Sequence, residues 1–270
     1  ADTFSAEVRT KMLFETMGNP NDPAVLFFHA MGVVGASSEP IAKELCDRYF
    51  CILPTSSVYC LGQKYRGKAQ EVCEINAFLM EKHIHSLSLV VASSLGADLA
   101  TAFLSGTDVR IDHVYFDGGQ FARISKLTRR LMTPFLYCAL KSISLTHGKT
   151  LGKLLWCDDE AIKPYFIDAS SALRWGNLRR QLADSLEAKP YVPLPVSLQK
   201  HTYFAFGSAE EHYKYREAVK RAYPFAKYPV FSGYNHMQFQ IRSPKDFAQM
   251  LCCIIERDEL PKLPFIKEDV

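Results

Sequence analysis

The sequence contains no CxxC pair, and none of its eight cysteines, at positions 46, 51, 60, 73, 138, 157, 252 and 253, falls at a metal-ligand spacing. Zinc-ribbon and dithiol redox chemistry are thereby set aside. The pair His83 and His85 has no nearby carboxylate or cysteine to complete a ligand set, so no metal is expected. No uncharged apolar run reaches the roughly 18 residues that a membrane span requires, and no signal-peptide pattern opens the chain. Charge excess is also scarce: 32 Lys/Arg against 29 Asp/Glu leave +3, too little to argue for nucleic acid or a membrane surface. There is no internal repeat and no low-complexity segment, which removes solenoids and disordered linkers. Most cysteines lie inside apolar runs, as buried free thiols do, and the expectation is a protein of the reducing cytoplasm.

What remains is a chain of 270 residues with 48% hydrophobic content, enough for one large core or a core with an insertion. Short apolar runs over Lys11–Thr16, Val25–Phe28, Phe50–Pro54, Leu87–Val91, His113–Phe116, Thr202–Phe206 and Tyr228–Phe231 predict strands. Amphipathic stretches over Glu39–Arg48, Lys68–Lys82, Gly96–Leu104, Glu211–Ala222 and Pro244–Glu256 predict the helices between them. Apolar strands without clean alternation, separated by helices, imply a mostly parallel sheet covered on both faces, an α/β fold. Between Gln120 and Pro195 the alternation stops and only helical patterning remains, which predicts a core of residues 1–119 and 196–270 with a helical insertion over 120–195. Residues 121–190 carry twelve Lys/Arg and six Asp/Glu, so the insertion holds more than the whole positive excess.

One stretch points to chemistry. In Leu87–Ala97, LSLVVASSLGA, a β-type run ends at Ser94 and continues as a helical pattern. A serine on so sharp a strand-to-helix turn needs small residues two places before and after it, because the backbone is strained and crosses close to its neighbours. Ser94 has Ala92 and Gly96 there, whereas Ser93 would have Val91 and Leu95. Three further segments follow predicted strands: His29-Ala30-Met31-Gly32, Gly207-Ser208-Ala209-Glu210, and Gly233-Tyr234-Asn235-His236.

With these parts in this order the chain resembles, over essentially its whole length, the α/β-hydrolase superfamily of serine hydrolases with a helical cap. The resemblance implies the order nucleophile, acid, histidine. It assigns Ser94 as nucleophile, His236 as general base and acid, and Glu210 as the carboxylate that fixes the imidazole. Asp117, at the end of the preceding strand in Phe116-Asp117-Gly118-Gly119, is the alternative acid. The backbone N–H groups of Met31 and Leu95 are the implied oxyanion hole, and His29 is expected to order the Met31 loop. Two departures stand out: Ala92 replaces the commoner glycine of the elbow, and Thr55-Ser56-Ser57 stands where many relatives have an Asp-containing turn.

The cap is expected to sit over the serine and to govern substrate choice through Met132, Phe135, Leu136, Leu155, Trp156, Phe166 and Trp175, with Arg123, Lys126, Arg129 and Arg130 as candidates for reading substrate charge. The implied activity is cleavage of a small-molecule ester or thioester through an acyl-enzyme, with no cofactor. Acyl transfer by the same triad, and a binding protein that keeps the shape without turnover, are the alternatives.

Overall fold

Strand residues are apolar at successive positions because each strand feeds two cores at once. Leu26 and Phe28 enter one, with Val90, Ala92, Phe116 and Phe204. Their neighbours Val25 and Phe27 enter the other, with Leu89, Val91, Tyr115 and Tyr203. The computed structural model describes residues 12–119, 121, 123–151, 160–186 and 191–267.

The strands are β1 (Leu13–Met17), β2 (Ala24–Phe28), β3 (Phe50–Thr55), β4 (Ser86–Ser93), β5 (Arg110–Ile111), β6 (Val114–Asp117), β7 (Thr202–Gly207), β8 (Val230–Phe231) and β9 (Ile266–Lys267). They form one sheet in the order β1-β3-β2-β4-β6-β7-β8-β9, with β5 beside β4. The inner pairings are parallel, and only β1 against β3 and β9 against β8 run antiparallel. The helices are α1 (Glu39–Leu45), α2 (Lys68–Glu81), α3 (Gly96–Ser105), α4 (Lys126–Leu145), α5 (Lys163–Ala172), α6 (Trp175–Ser185), α7 (Val196–Gln199), α8 (Arg216–Ala222), α9 (Gln238–Arg242) and α10 (Pro244–Arg257). The chain moves from β2 out to β3 and returns on the other side of β2 as β4. That reversal opens a crevice at the carboxyl ends of β2 and β4, the place where open α/β sheets bind ligands.

Helices α4, α5 and α6 lie in sequence between β6 and β7, which are neighbours in the sheet. Their inward residues Leu140, Phe166, Leu178 and Leu182 form a third apolar cluster with Ala30, Val33 and Leu95 from the sheet loops. Lys141 of α4 donates to the carbonyls of Ser170, Ser171 and Leu173 at the end of α5, placing a cation at the negative pole of that helix.

Several expectations need adjusting. The segment Glu211–Ala222 opens as a 3-10 turn, Glu211–Tyr215, before α8 begins, and the strand expected from Tyr228 starts at Val230. The two-residue strands β5 and β9 and the five-residue helix α9 were not predicted, because such lengths carry no measurable period. The cysteines also differ: Cys51 and Cys252 are buried, but Cys73 and Cys138 are exposed. An apolar run does not bury every member of a helix, since only one face packs. Among the described residues no helix is long and apolar enough to cross a membrane.

Candidate active site

Ser94 occupies a left-handed conformation, φ 52°, directly between β4 and α3. A non-glycine residue there costs energy and persists only where its surroundings enforce it. The enforcement is visible on both sides. The Ser94 N–H donates to the Asp117 carbonyl at 2.9 Å, and α3 begins so close to β2 that a Cβ on Gly96 would stand 2.4 Å from the Phe28 carbonyl oxygen. Ala92 is fully buried in the same apolar cluster as Ala97 and Ala100 of α3.

The Ser94 Oγ lies 2.8 Å from His236 Nε2, and His236 Nδ1 lies 2.6 Å from Glu210 Oε2. The other carboxylate oxygen of Glu210 accepts from the Gly207 N–H at 3.2 Å. The Glu210 side chain is 1% exposed and that of His236 24%, so the acid is sealed inside and the imidazole faces the crevice. His236 precedes Met237, itself left-handed at φ 56°, and Gly118, at φ 57°, lies flat under the pair: a Cβ there would stand 2.6 Å from His236 Nδ1 and 2.8 Å from Glu210 Oε2. The Asp-Gly step after β6 stands out in the sequence only through Asp117, the alternative acid. Its function is to let backbone pass beneath two side chains.

Asp117 is buried but is held elsewhere. Its Oδ2 accepts from Gln240 Nε2 at 2.5 Å, and the same amide nitrogen lies 3.1 Å from Ser93 Oγ. Burial first, and the nearby Glu210 charge second, push its carboxyl up to about 7. Gln240 therefore ties α9, just beyond His236, to the strand that leads into Ser94. No sequence motif marked it.

His29 donates from Nδ1 to the Ala30 carbonyl and accepts at Nε2 from the Ser56 N–H at 3.0 Å. Burial pushes its pKa down to about 4, so it is neutral and braces the Met31 loop against the end of β3. The Thr55-Ser56-Ser57 turn is fixed in its own way: Glu71 of α2 accepts from Ser56 Oγ, Ser57 Oγ and the Ser57 N–H at 2.7 to 2.8 Å. Among the described residues no acceptor takes the amide of Met31 or of Leu95, and both residues line the cavity above Ser94.

That cavity has a volume of about 560 Å³ and is walled by Ala30, Met31, Val33 and Ile41 below and by Met132, Leu136, Ile162, Phe166 and Leu182 above. Of the expected lining residues, Met132, Leu136 and Phe166 are present. Phe135 is 78% exposed on the outside of α4, since it is rotated about 100° from Leu136 on the helix. Trp175 is 41% exposed and packs edge-on against Tyr137 at 5.5 Å between centroids rather than lining the cavity. Trp156 and Leu155 lie outside the described residues. None of Arg123, Lys126, Arg129 and Arg130 lines the cavity; Arg123 instead donates to the Ser185 carbonyl.

A second residue, besides Gln240, escaped sequence reading. His212, two positions after Glu210, meets His236 edge to face at 4.8 Å and lines the cavity. Burial and the neighbouring His236 push its pKa down, which favours an uncharged ring beside the imidazole. Glu210, His212 and His236 also present ligand atoms within 4.8 Å of one another, but the Glu210 to His236 contact occupies the space between two of them.

Sheet order, elbow and loop positions define the α/β-hydrolase fold, and solved structures agree. A putative α/β-hydrolase family protein from Desulfitobacterium hafniense superposes with a TM-score of 0.71 at 14% identity, covering 90% of this chain and 100% of that one. A carboxylesterase of the thaumarchaeon Nitrososphaera gargenis gives 0.67 at 13% identity, covering 92% and 96%, and potato epoxide hydrolase I gives 0.66 at 15%, covering 91% and 96%. No family model matches the sequence, and no curated protein sequence is similar to it. At these identities the likeness establishes the fold.

Proposed function

We propose that the protein is a serine hydrolase that cleaves an ester or thioester of a small molecule through an acyl-enzyme on Ser94. The observation carrying this reading is the continuous contact from Ser94 Oγ through His236 to Glu210, at 2.8 and 2.6 Å, directly beneath an apolar cavity. In the reaction Ser94 Oγ attacks the acyl carbon while His236 Nε2 takes its proton. The carbonyl oxygen becomes an oxyanion, received by the free amides of Met31 and Leu95. Collapse breaks the bond to the alcohol or thiol, which leaves with the proton from His236. Water, deprotonated by the same nitrogen, then releases the acid and restores Ser94. Glu210 keeps the proton on Nδ1 and balances the imidazolium. Helices α4, α5 and α6 act as the cap, whose aliphatic lining selects the acyl group. The seven described cysteines are all free thiols, which favours a reducing, cytoplasmic setting.

A fluorophosphonate probe tests the assignment. Covalent labelling of wild-type protein at Ser94, lost in folded Ser94→Ala, is the expected result. Unlabelled but folded wild-type protein would remove the hydrolase reading and leave a binding protein of the same shape.

A further inference from the structure

Helix α4 has two apolar faces, and the core explains only one. Its inward face, with Leu136, Leu140 and Ile143, packs in the cluster beneath the inserted helices. Its outward face carries Leu127, Leu131 and Phe135, four residues apart, exposed by 67, 63 and 78%, and continues to Leu145 at 75%. Residues at that spacing form one stripe along the helix. A helix needs a single apolar stripe to dock on a fold, and a second one in water marks a contact surface.

The charge on the same helix narrows what it contacts. No acidic residue occurs between Asp117 and Asp158, while α4 carries Lys126, Arg129, Arg130 and Lys141. Arg129 is buried and Lys141 is committed to the end of α5, which leaves Lys126 and Arg130 exposed beside the stripe. Apolar residues flanked by cations with no acid are the makeup of a helix that lies on an anionic lipid surface. A second copy of the chain fits poorly, because a two-fold contact through this face brings its cations together with no acid on the helix to offset them. Met132 sits on the shoulder between the two faces: it is 37% exposed and also lines the cavity above Ser94.

We propose that the outer face of α4 docks on an anionic lipid surface, and that the substrate is an acyl lipid which passes from that surface by Met132 into the cavity. The second half rests on the Ser94 reading; the docking does not.

The test uses the whole protein and sedimentation with vesicles of equal parts phosphatidylcholine and phosphatidylserine, compared with phosphatidylcholine alone. Wild-type protein is expected to bind the mixed vesicles, less so as salt rises. The double variants Leu131→Ser with Phe135→Ser, and Lys126→Glu with Arg130→Glu, should each bind at least about tenfold more weakly. Turnover of a short, water-soluble p-nitrophenyl ester should stay unchanged in both, because none of the four residues lines the cavity. Failure of wild-type protein to bind, or equal binding by the Leu131/Phe135 variant, overturns the docking. So does a dimer that the Leu131/Phe135 variant dissociates without any vesicle binding. Fluorophosphonate labelling of the same samples separates the two claims: binding without labelling sustains the docking and removes the Ser94 reading with the substrate assignment that rests on it, whereas labelling without binding sustains the Ser94 reading and removes both the docking and the lipid substrate.

Discussion

The sheet side and the helix side of the cavity are held in different ways. On the sheet side, Ser94, His236 and Glu210 stand on loops whose backbones nearly touch: Gly96 against the Phe28 and His29 carbonyls, Gly207 against the Tyr234 carbonyl, Gly118 against the His236 ring. Each side chain there also has a hydrogen-bonded partner. On the helix side, Met132, Leu136, Ile162 and Phe166, all apolar side chains, wall the cavity. Directional contacts and backbone clashes tolerate errors of a few tenths of an ångström, whereas apolar packing adjusts to a change of side chain. Substitutions on the sheet side should therefore abolish turnover, and substitutions on the helix side should redirect it.

The largest effect expected is at Glu210. Glu210→Gln keeps the shape but leaves a group that cannot balance an imidazolium and can hold the wrong tautomer, so kcat should fall by about 10⁴. Asp117→Asn, whose carboxyl is bonded to Gln240 and not to His236, should stay within about tenfold of wild type. Asp117 should show itself in stability instead. Its folded pKa of about 7 lies above the ordinary 3.8, so between those values the folded protein keeps a proton that the unfolded chain releases. Wild-type stability is then lost as pH rises through that window. Thermal melts should show Asp117→Asn gaining on wild type with rising pH, by up to about 4 kcal/mol. Equal pH dependence in the two proteins would mean that Asp117 is not a desolvated acid, and loss of turnover in Asp117→Asn with retention in Glu210→Gln would exchange their roles.

Next comes Gly118→Ala. The added methyl must move the imidazole or the Glu210 carboxylate, or shift a backbone at φ 57°. A displacement near 1 Å costs about 10² in rate. Circular dichroism should report a folded protein, and kcat should drop while KM changes little. A variant with wild-type kcat would show that the sheet side is as adjustable as the helix side.

Where the sequence was readable follows the same division. Ser94 could be singled out because a turn this tight demands small residues at fixed offsets, and Ala92 and Gly96 meet that demand. The positions of Glu210 and His236 could be read from Gly-containing segments following strands. Gln240 could not, because its partners Ser93 and Asp117 are 147 and 123 residues away in sequence, and no local pattern encodes such a meeting. His212 was hidden for the opposite reason: beside Glu210 and Glu211 it looked like the polar start of a helix. The helix side was legible only as helical. Which face of α4 turns inward is undecided by a pattern that is apolar on both faces, and so Phe135 and Leu136 were grouped although they point in different directions.

That pair gives the last and smallest prediction. Leu136→Ala opens the cavity wall and should shift kcat/KM toward longer or bulkier acyl groups by about tenfold across a series of p-nitrophenyl esters, the usual value of a few methylenes in an apolar site. Phe135→Ala, one residue away and exposed, should leave the whole series within about twofold and the stability within about 0.5 kcal/mol. The comparison rests on direction and not on size, since phenylalanine loses more carbon than leucine. Selectivity that moves with Phe135 and not with Leu136 would mean that α4 turns its other face to the substrate in solution, and the helix side would then be a moving element instead of a fixed wall.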